Sequence, residues 1–444
     1  MQFWNTPCAN PPLMQAKNLQ RQQQQPLVPV CDGSRARARR LGLYLLGTVL
    51  AILLLSLSCS PRTHSGWLGI TAYTFSKAHA DAATGTHCRA PFKYVPNLRG
   101  DGGSHPSSMR VEINGIAHGA VTVSQFSNPL ATTSVVFYPS HAVLSRNISV
   151  VELWDSESNG YALLIDTPGH LDGSACIRAE IVLALPLPAP GVPTLSIATD
   201  NVDVIGRGNP NSPMWSAAVQ LRSKKGRVEA AWWISETCKL SSGTGAVIAS
   251  HLDSPSVILE SASGPIFAES QLIGGWQRPG QNWAIRTASG AVNVSNMSVD
   301  NFDAQTHSGP ILIVDVIANK NTSLRTVSGN VAVNITRYYG IPTDALLNVR
   351  TATGAIEVLL PSRFIHKSVA ALTTIGAVRI KVTDAYFGGT FLAKSTVGDV
   401  SVKGTNLNFV DNSLHEKKGS RGNGLAPQRV TALSSSGRID IVFP

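Results

Sequence analysis

The sequence predicts an all-β protein, a β-solenoid built of coils of about 20 residues, preceded by a single transmembrane helix. Three observations predict it. A ten-residue pattern recurs through the C-terminal half. Beyond residue 60, runs of helical period longer than about ten residues are hard to find. Residues 41–60, LGLYLLGTVLAILLLSLSCS, carry no charge. With 43% hydrophobic and 14% charged residues, against about 25% charged in an ordinary soluble chain, the protein is neither a disordered chain nor a typical cytosolic enzyme. Six cysteines in 444 residues also exclude a small disulfide scaffold.

Residues 1–40 are rich in Gln, Pro and Asn and carry half of the net charge of +10, so they read as a disordered basic cytoplasmic tail. Arg35, Arg37, Arg39 and Arg40 stand directly before the apolar run. Twenty residues rising about 1.5 Å each span the hydrocarbon layer of a bilayer, about 30 Å. The basic flank stays cytoplasmic, which places the C-terminal bulk in an extracellular or luminal compartment and makes the lipid bilayer a partner through residues 41–60. Ser56 and Ser58 have the spacing a signal peptidase uses, and cleavage there would free a secreted protein. Forty residues precede the run, more than a usual signal n-region, so the segment reads as an uncleaved signal anchor. Beside it, the arginines are topogenic rather than a nucleic-acid patch, and no nucleic-acid partner is expected. Residues 61–108 mix Ser, Gly, Pro, His and Thr without period, a flexible stalk.

From residue 109 to 444 short Val, Ile, Leu, Ser and Thr runs alternate apolar and polar, the strand signature. Clear repeats begin at about residue 240. The template is apolar, any, Ser/Thr, any, Ser/Thr, Gly, any, apolar, any, apolar; it fits LESASGPIFA, IRTASGAVNV, AQTHSGPILI, LRTVSGNVAV and VRTATGAIEV. Weaker copies surround Gly245, Gly376, Gly398 and Gly437, and an eroded copy from Leu195 places Asp200 at the glycine position. Each copy reads as strand, tight turn, strand, with glycine supplying positive φ and the hydroxyl column bonding from coil to coil or to the turn. Two longer intervals read as projecting loops, where binding usually resides. One runs between Asp200 and Gly245 and holds Arg207, Arg222, Lys224, Lys225 and Arg227, then Trp232 and Trp233; the other covers residues 411–429. The two adjacent tryptophans are candidate ligand contacts, one facing in and one out.

Together with turns such as Leu187-Pro188 and Leu360-Pro361, these units resemble the adhesin-type β-solenoid domains of bacterial surface proteins, and fungal single-pass membrane proteins of unknown function that carry such a domain. The resemblance covers residues 109–444. It implies a surface or cell-wall contact module without catalytic residues, with cell-wall glycan or surface proteins as partners.

The residues themselves offer little chemistry. Phosphate-loop, dinucleotide, zinc-protease, EF-hand and nucleophile-elbow motifs are missing from the sequence, so no enzyme activity, cofactor or metal is expected. The rival is a polysaccharide-active β-helix enzyme, whose carboxylate pairs would be Asp200 with Asp203, Asp166 with Asp172, or Asp399 with Asp440; a third reading is a structural partner for membrane proteins. Among Cys88, Cys176 and Cys238 at most one pair can close, and Cys176 with Cys238 is preferred because both flank strand-like segments. Candidate glycosylation sites are Asn147, Asn293, Asn296, Asn321 and Asn334, of which Asn293 and Asn334 should point outward.

Overall fold

A computed structural model describes residue 88 and residues 91–98, 106–126, 132–186, 192–270, 280–335, 345–361, 367–385, 387–422 and 428–444. The tail, the apolar run and nearly all of the stalk lie outside these residues. Among the described residues no helix is long and apolar enough to cross a membrane. Among the described residues, all of the regular structure but a short 3-10 turn, Ala142–Asn147, is β-strand.

Each coil is a strand, a turn and a second strand, as the pattern requires. In the Gly264 coil these are Ser256–Ser261 and Ile266–Glu269. The first strand pairs in parallel register with Thr237–Ser242 below and Asn282–Thr287 above. The second pairs likewise with Val247–Asp253 and Val292–Thr306. Alternation turns Leu259, Ile285, Ala304, Leu324 and Val349 inward from the first strands, and Ile266, Val292, Ile311, Val331 and Ile356 from the second, all essentially buried. Stacking them forms one continuous core without a helix.

Two columns of close contact fix the coil. The first Ser/Thr of the template is buried at Ser261, Thr287, Thr306, Thr326 and Thr351, where its hydroxyl bridges adjacent coils. Thr306 accepts the N–H of its own Gly309 at 2.9 Å and donates to the carbonyl of Gly290 at 3.5 Å; Thr326 does the same with Gly329 and Gly309 at 3.0 and 3.3 Å. The glycines need no positive φ at 245, 264, 290, 309, 329 or 354; only Gly376, Gly398 and Gly437 in this column adopt one. What selects glycine is proximity. A Cβ on Gly309 would lie 2.6 Å from the carbonyl carbon of Gly290, and one on Gly290 would lie 2.6 Å from that of Gly264.

At the opposite bend, Trp232, His251, Asn296 and Asp315 all have φ between +51° and +57° and stand in one register column. Each resets the inward alternation, so that Trp233, Leu252, Met297 and Val316 return to the core.

The structure corrects the repeat register in two places. Thr199 aligns with Ser223 and Ser242, which puts Val202, not Asp200, at the glycine position; the hydroxyls of Thr199 and Ser223 both donate to its carbonyl, at 2.6 and 3.1 Å. The stretch after Asp200 is no projecting loop but a regular coil, Ala218–Ser223 and Val228–Ile234 around Gly226. Lys225 fills the second Ser/Thr position there, and that substitution hid the copy.

Both ends interleave. Ser108–Asn114 lies between Gly160–Asp166 and Thr194–Thr199, and His118–Phe126 lies between Ile177–Pro186 and Asp203–Arg207. The last coil, Gln428–Ser436 and Ile439–Val442, sits between the coil of Ser368–Ile375 and that of Gly389–Val397. Antiparallel strands then cover the outermost coils: Thr132–Pro139 and Ser149–Asp155 at one end, and the hairpin Leu407–Asn412 with Glu416–Arg421 at the other. The interval expected as a second projecting loop therefore supplies this hairpin and the start of the last coil. Covering a parallel edge in this way blocks its continuation.

The disulfide joins Cys88 to Cys176, with Cα atoms 5.8 Å apart. The expected Cys176–Cys238 pair is excluded. Cys238 faces inward from Thr237–Ser242, buried and free, four coil steps from the coil of Cys176. At about 4.8 Å a step that is near 19 Å, beyond the reach of a disulfide.

Candidate ligand-contact face

The first strands present their outward residues to one flat face. The residue preceding the buried hydroxyl forms a column in strict register: Arg222, Ser241, Glu260, Arg286, Gln305, Arg325 and Arg350. Some charges on this face are neutralised. Lys239 holds Glu260 at 2.9 Å, and Lys224 holds Asp200 at 2.6 Å. Burial works to raise the Asp200 carboxyl, but Lys224, the Gly115 N–H and Lys225 together hold it below its ordinary value. Asp303 accepts from the neutral Gln305 amide at 2.7 Å and keeps its charge. Arg222, Arg286, Arg325 and Arg350 are exposed, and none has an ion pair or hydrogen bond among the described residues. Between the Gln220 and Val327 coils the face carries a shallow groove of about 820 Å³, lined by Arg222, Lys239, Glu260, Arg286, Gln305 and His307 among others.

Of the two candidate tryptophans, Trp233 is 1% exposed and packs over Gly206, where even a methyl group would collide with its ring. It cannot touch a ligand. Trp232 stays half-exposed, its ring 3.8 Å from that of His251. The tryptophans and the arginine column lie on different strands of the coil, so the structure does not bring them into one site.

Most of the candidate carboxylates are engaged by other groups; Asp399 is exposed, and its carboxylate has no hydrogen bond or ion pair among the described residues. Asp166 accepts from Asn114 at 2.9 Å, Asp172 lies 3.6 Å from His170, and Asp440 is chelated by Arg438 at 2.8 and 3.0 Å. Asp203 accepts the Arg227 N–H at 2.7 Å, and burial raises its carboxyl despite that bond. Among the described residues no cluster of three His, Cys, Asp or Glu could hold a metal. Of the sequons, Asn147 and Asn321 are exposed, while Asn293 and Asn334 point outward but are half-buried. The amide of Asn296 is spent on Glu269 at 3.1 Å.

The arginine column escaped notice in the sequence although its signal is there: the position before the hydroxyl is Arg in three of the five strict copies, IRTASG, LRTVSG and VRTATG.

These features define a capped parallel β-solenoid with a cationic face. The chain belongs to the family described as Toastrack DUF4097, which matches residues 194–442, from the first strand of the third stacked coil to the last strand of the chain. Among solved structures it is similar to a candidate cell adhesion protein from Clostridium sporogenes ATCC 15579, at 12% identity over 80% of this chain and 99% of that one, with a TM-score of 0.16. It is also similar to a candidate adhesin from Bacteroides fragilis NCTC 9343, at 11% identity over 80% and 98%, with a TM-score of 0.22. Superpositions this loose say nothing of what this chain contacts. No curated protein matches it.

Proposed function

We propose that the protein is an adhesin-like, non-catalytic surface module. Residues 41–60 anchor it as a single-pass membrane glycoprotein, residues 1–40 stay cytoplasmic, and the stalk holds the solenoid outside, where it contacts cell-wall glycan or surface proteins. The observation that carries this reading is the exposed, unneutralised arginine column beside a shallow open groove. A flat cationic face of this kind suits extended contact. The engagement of Asp166, Asp200 and Asp440, one member of each candidate pair, by an amide or a cation supports the non-catalytic side of the proposal, because paired acid and base chemistry needs both carboxylates free to exchange protons.

The test is depletion of the purified full-length chain, in mild detergent, by insoluble cell-wall polysaccharide. Saturable depletion is expected. Its absence with every wall material would overturn glycan contact and leave surface proteins as the partner. Trp232→Ala in the same assay reports whether the half-exposed ring takes part. Topology is read by glycosidase treatment of the membrane-expressed protein, which should raise its mobility through Asn147 or Asn321 and lose that effect when both are changed to Gln; a wild-type band that stays put under glycosidase removes the glycan from the proposal.

A further inference from the structure

We infer that the arginine column is a binding track for a linear acidic polysaccharide, a polymer of sugar carboxylates. This rests on the surface-contact reading and adds the class of its ligand. Arg325 and Arg350 are direct register partners, and Arg286 is separated from Arg325 by Gln305 alone. With parallel strands about 4.8 Å apart, the guanidinium heads repeat at one and two coil steps, about 5 and 10 Å. Like charges directly opposite across a sheet destabilise it, and neither Arg325 nor Arg350 has an ion pair among the described residues. Asp303 in the adjoining column accepts from the neutral Gln305 amide and keeps its charge, while Glu260, the direct register partner of Arg286, is paired with Lys239. The fold therefore keeps Arg325 and Arg350 as adjacent unpaired cations that a polyanion would neutralise.

Several features favour a carboxylated sugar polymer over other polyanions. Guanidinium forks match carboxylates in bidentate geometry. The coil step is comparable to the advance of one sugar in an extended chain, so acids on successive or alternate sugars meet successive or alternate arginines. Gln220, Ser241 and Gln305 stand beside the arginines and offer amide and hydroxyl partners for sugar hydroxyls. The groove takes in Arg222, Arg286 and Gln305 of the column, with Arg325 and Arg350 continuing the row outside it, and it is open and shallow, suited to an extended strand. Its lining has no aromatic ring besides His307, whereas single-stranded nucleic acids are held largely by base stacking.

The experiment titrates the full-length chain with polygalacturonate, and in parallel with neutral dextran, poly-glutamate and oligo-dT of similar length. Arg286→Gln, Arg325→Gln and Arg350→Gln are combined in one variant. A second variant, Arg379→Gln, Lys403→Gln and Lys418→Gln, removes the same charge from exposed positions elsewhere. Polygalacturonate is expected to bind in preference to all three other polymers, with affinity falling as salt rises. The column variant should lose about tenfold or more, the worth of one charge-assisted contact or above, with a melting temperature no lower than that of the wild type, since facing like charges have been removed, while the control variant binds as the wild type does. Equal losses in both variants would overturn the track in favour of diffuse charge, and tighter binding of oligo-dT or poly-glutamate would overturn the ligand class. If wall depletion persists undiminished in the column variant, the column is wrong and surface contact stands; if the wild type binds neither polygalacturonate nor any wall material, glycan contact fails and the track with it.

Discussion

Replacing Gly309 by Ala tests what builds the stack. The added carbon would sit 2.6 Å from the carbonyl carbon of Gly290, where carbon atoms pack at about 3.5–4.0 Å, so the two coils must part locally by about 1 Å. Backbone strain plays no role, because φ at Gly309 is outside the left-handed region. Parting the coils also stretches the Thr306 bridge, already 3.5 Å on its Gly290 side. Overpacking of this kind costs roughly 1–3 kcal/mol and a lost buried hydrogen bond about 1 more, giving about 2–4 kcal/mol in all. The assay is urea denaturation of the full-length chain, with Gly169→Ala alongside. Gly169 has nothing within 4 Å of its would-be Cβ, so that change should be neutral or stabilise by about 0.4–1 kcal/mol. Amide exchange should accelerate at the turns of Gly290 and Gly329, since stability in a stack is held between nearest neighbours. If Gly309→Ala costs no more than Gly169→Ala, close approach is not what selects glycine here.

Thr306→Val removes the bridging oxygen and orphans the Gly309 N–H, for about 1–3 kcal/mol of destabilisation, while Thr306→Ser, which keeps the oxygen as Ser261 does two column positions away, costs less in the same urea assay. Iodoacetamide at pH 8 should label Cys238 only after denaturation, because burial pushes its thiol up to about 12; a non-reducing peptide map should show Cys88 linked to Cys176, and a Cys176–Cys238 peptide would contradict the fold. The Asp300 carboxyl is held below its ordinary value by Lys320 at 2.9 Å and by Asn319 and the Gly280 N–H, against a smaller upward push from burial. A lowered carboxyl stabilises the fold above the ordinary carboxylate range and loses that contribution as pH falls through the lowered value, so wild type should exceed Lys320→Met in stability at pH 7 and converge with it in acid; a gap that persists in acid refutes the assignment.

The repeating core was readable because each coil obeys the same constraints. An inward apolar pair, a buried hydroxyl and a tight glycine recur wherever LRTVSGNVAV-like sequence recurs. The reason for the glycine was not readable, since positive φ and close approach select the same residue, and only the position of Gly290 over Gly264 distinguishes them. Stacking order was hidden for a related reason. In-register coils present nearly interchangeable surfaces, so nothing local says that Gln428–Ser436 slips in beside Ser368–Ile375 rather than following Gly389–Val397. The cap hairpin of Leu407–Asn412 and Glu416–Arg421 lies partly inside the interval 411–429 that reads as a loop, because its charged, exposed residues alternate weakly. The Cys88–Cys176 bond joins a residue outside the repeats to the end coil, where no periodicity speaks. As for the candidate face, its arginines occupied the variable position of the template, and variability drew attention away from them.

The interleaved C-terminal end bears on synthesis. The coil around Gly398 leaves the ribosome before the coil around Gly437, yet its parallel neighbour in the finished stack is that later segment. Residues 389–403 therefore have no parallel neighbour to stack on until residues 428–442 have been made. A protein truncated after residue 427 would lose a layer from within the stack, leaving the Gly398 coil and its covering hairpin without a seat. This part of the fold thus waits on synthesis of residues 428–442, and a product that stops short of them exposes its unfinished edge to degradation.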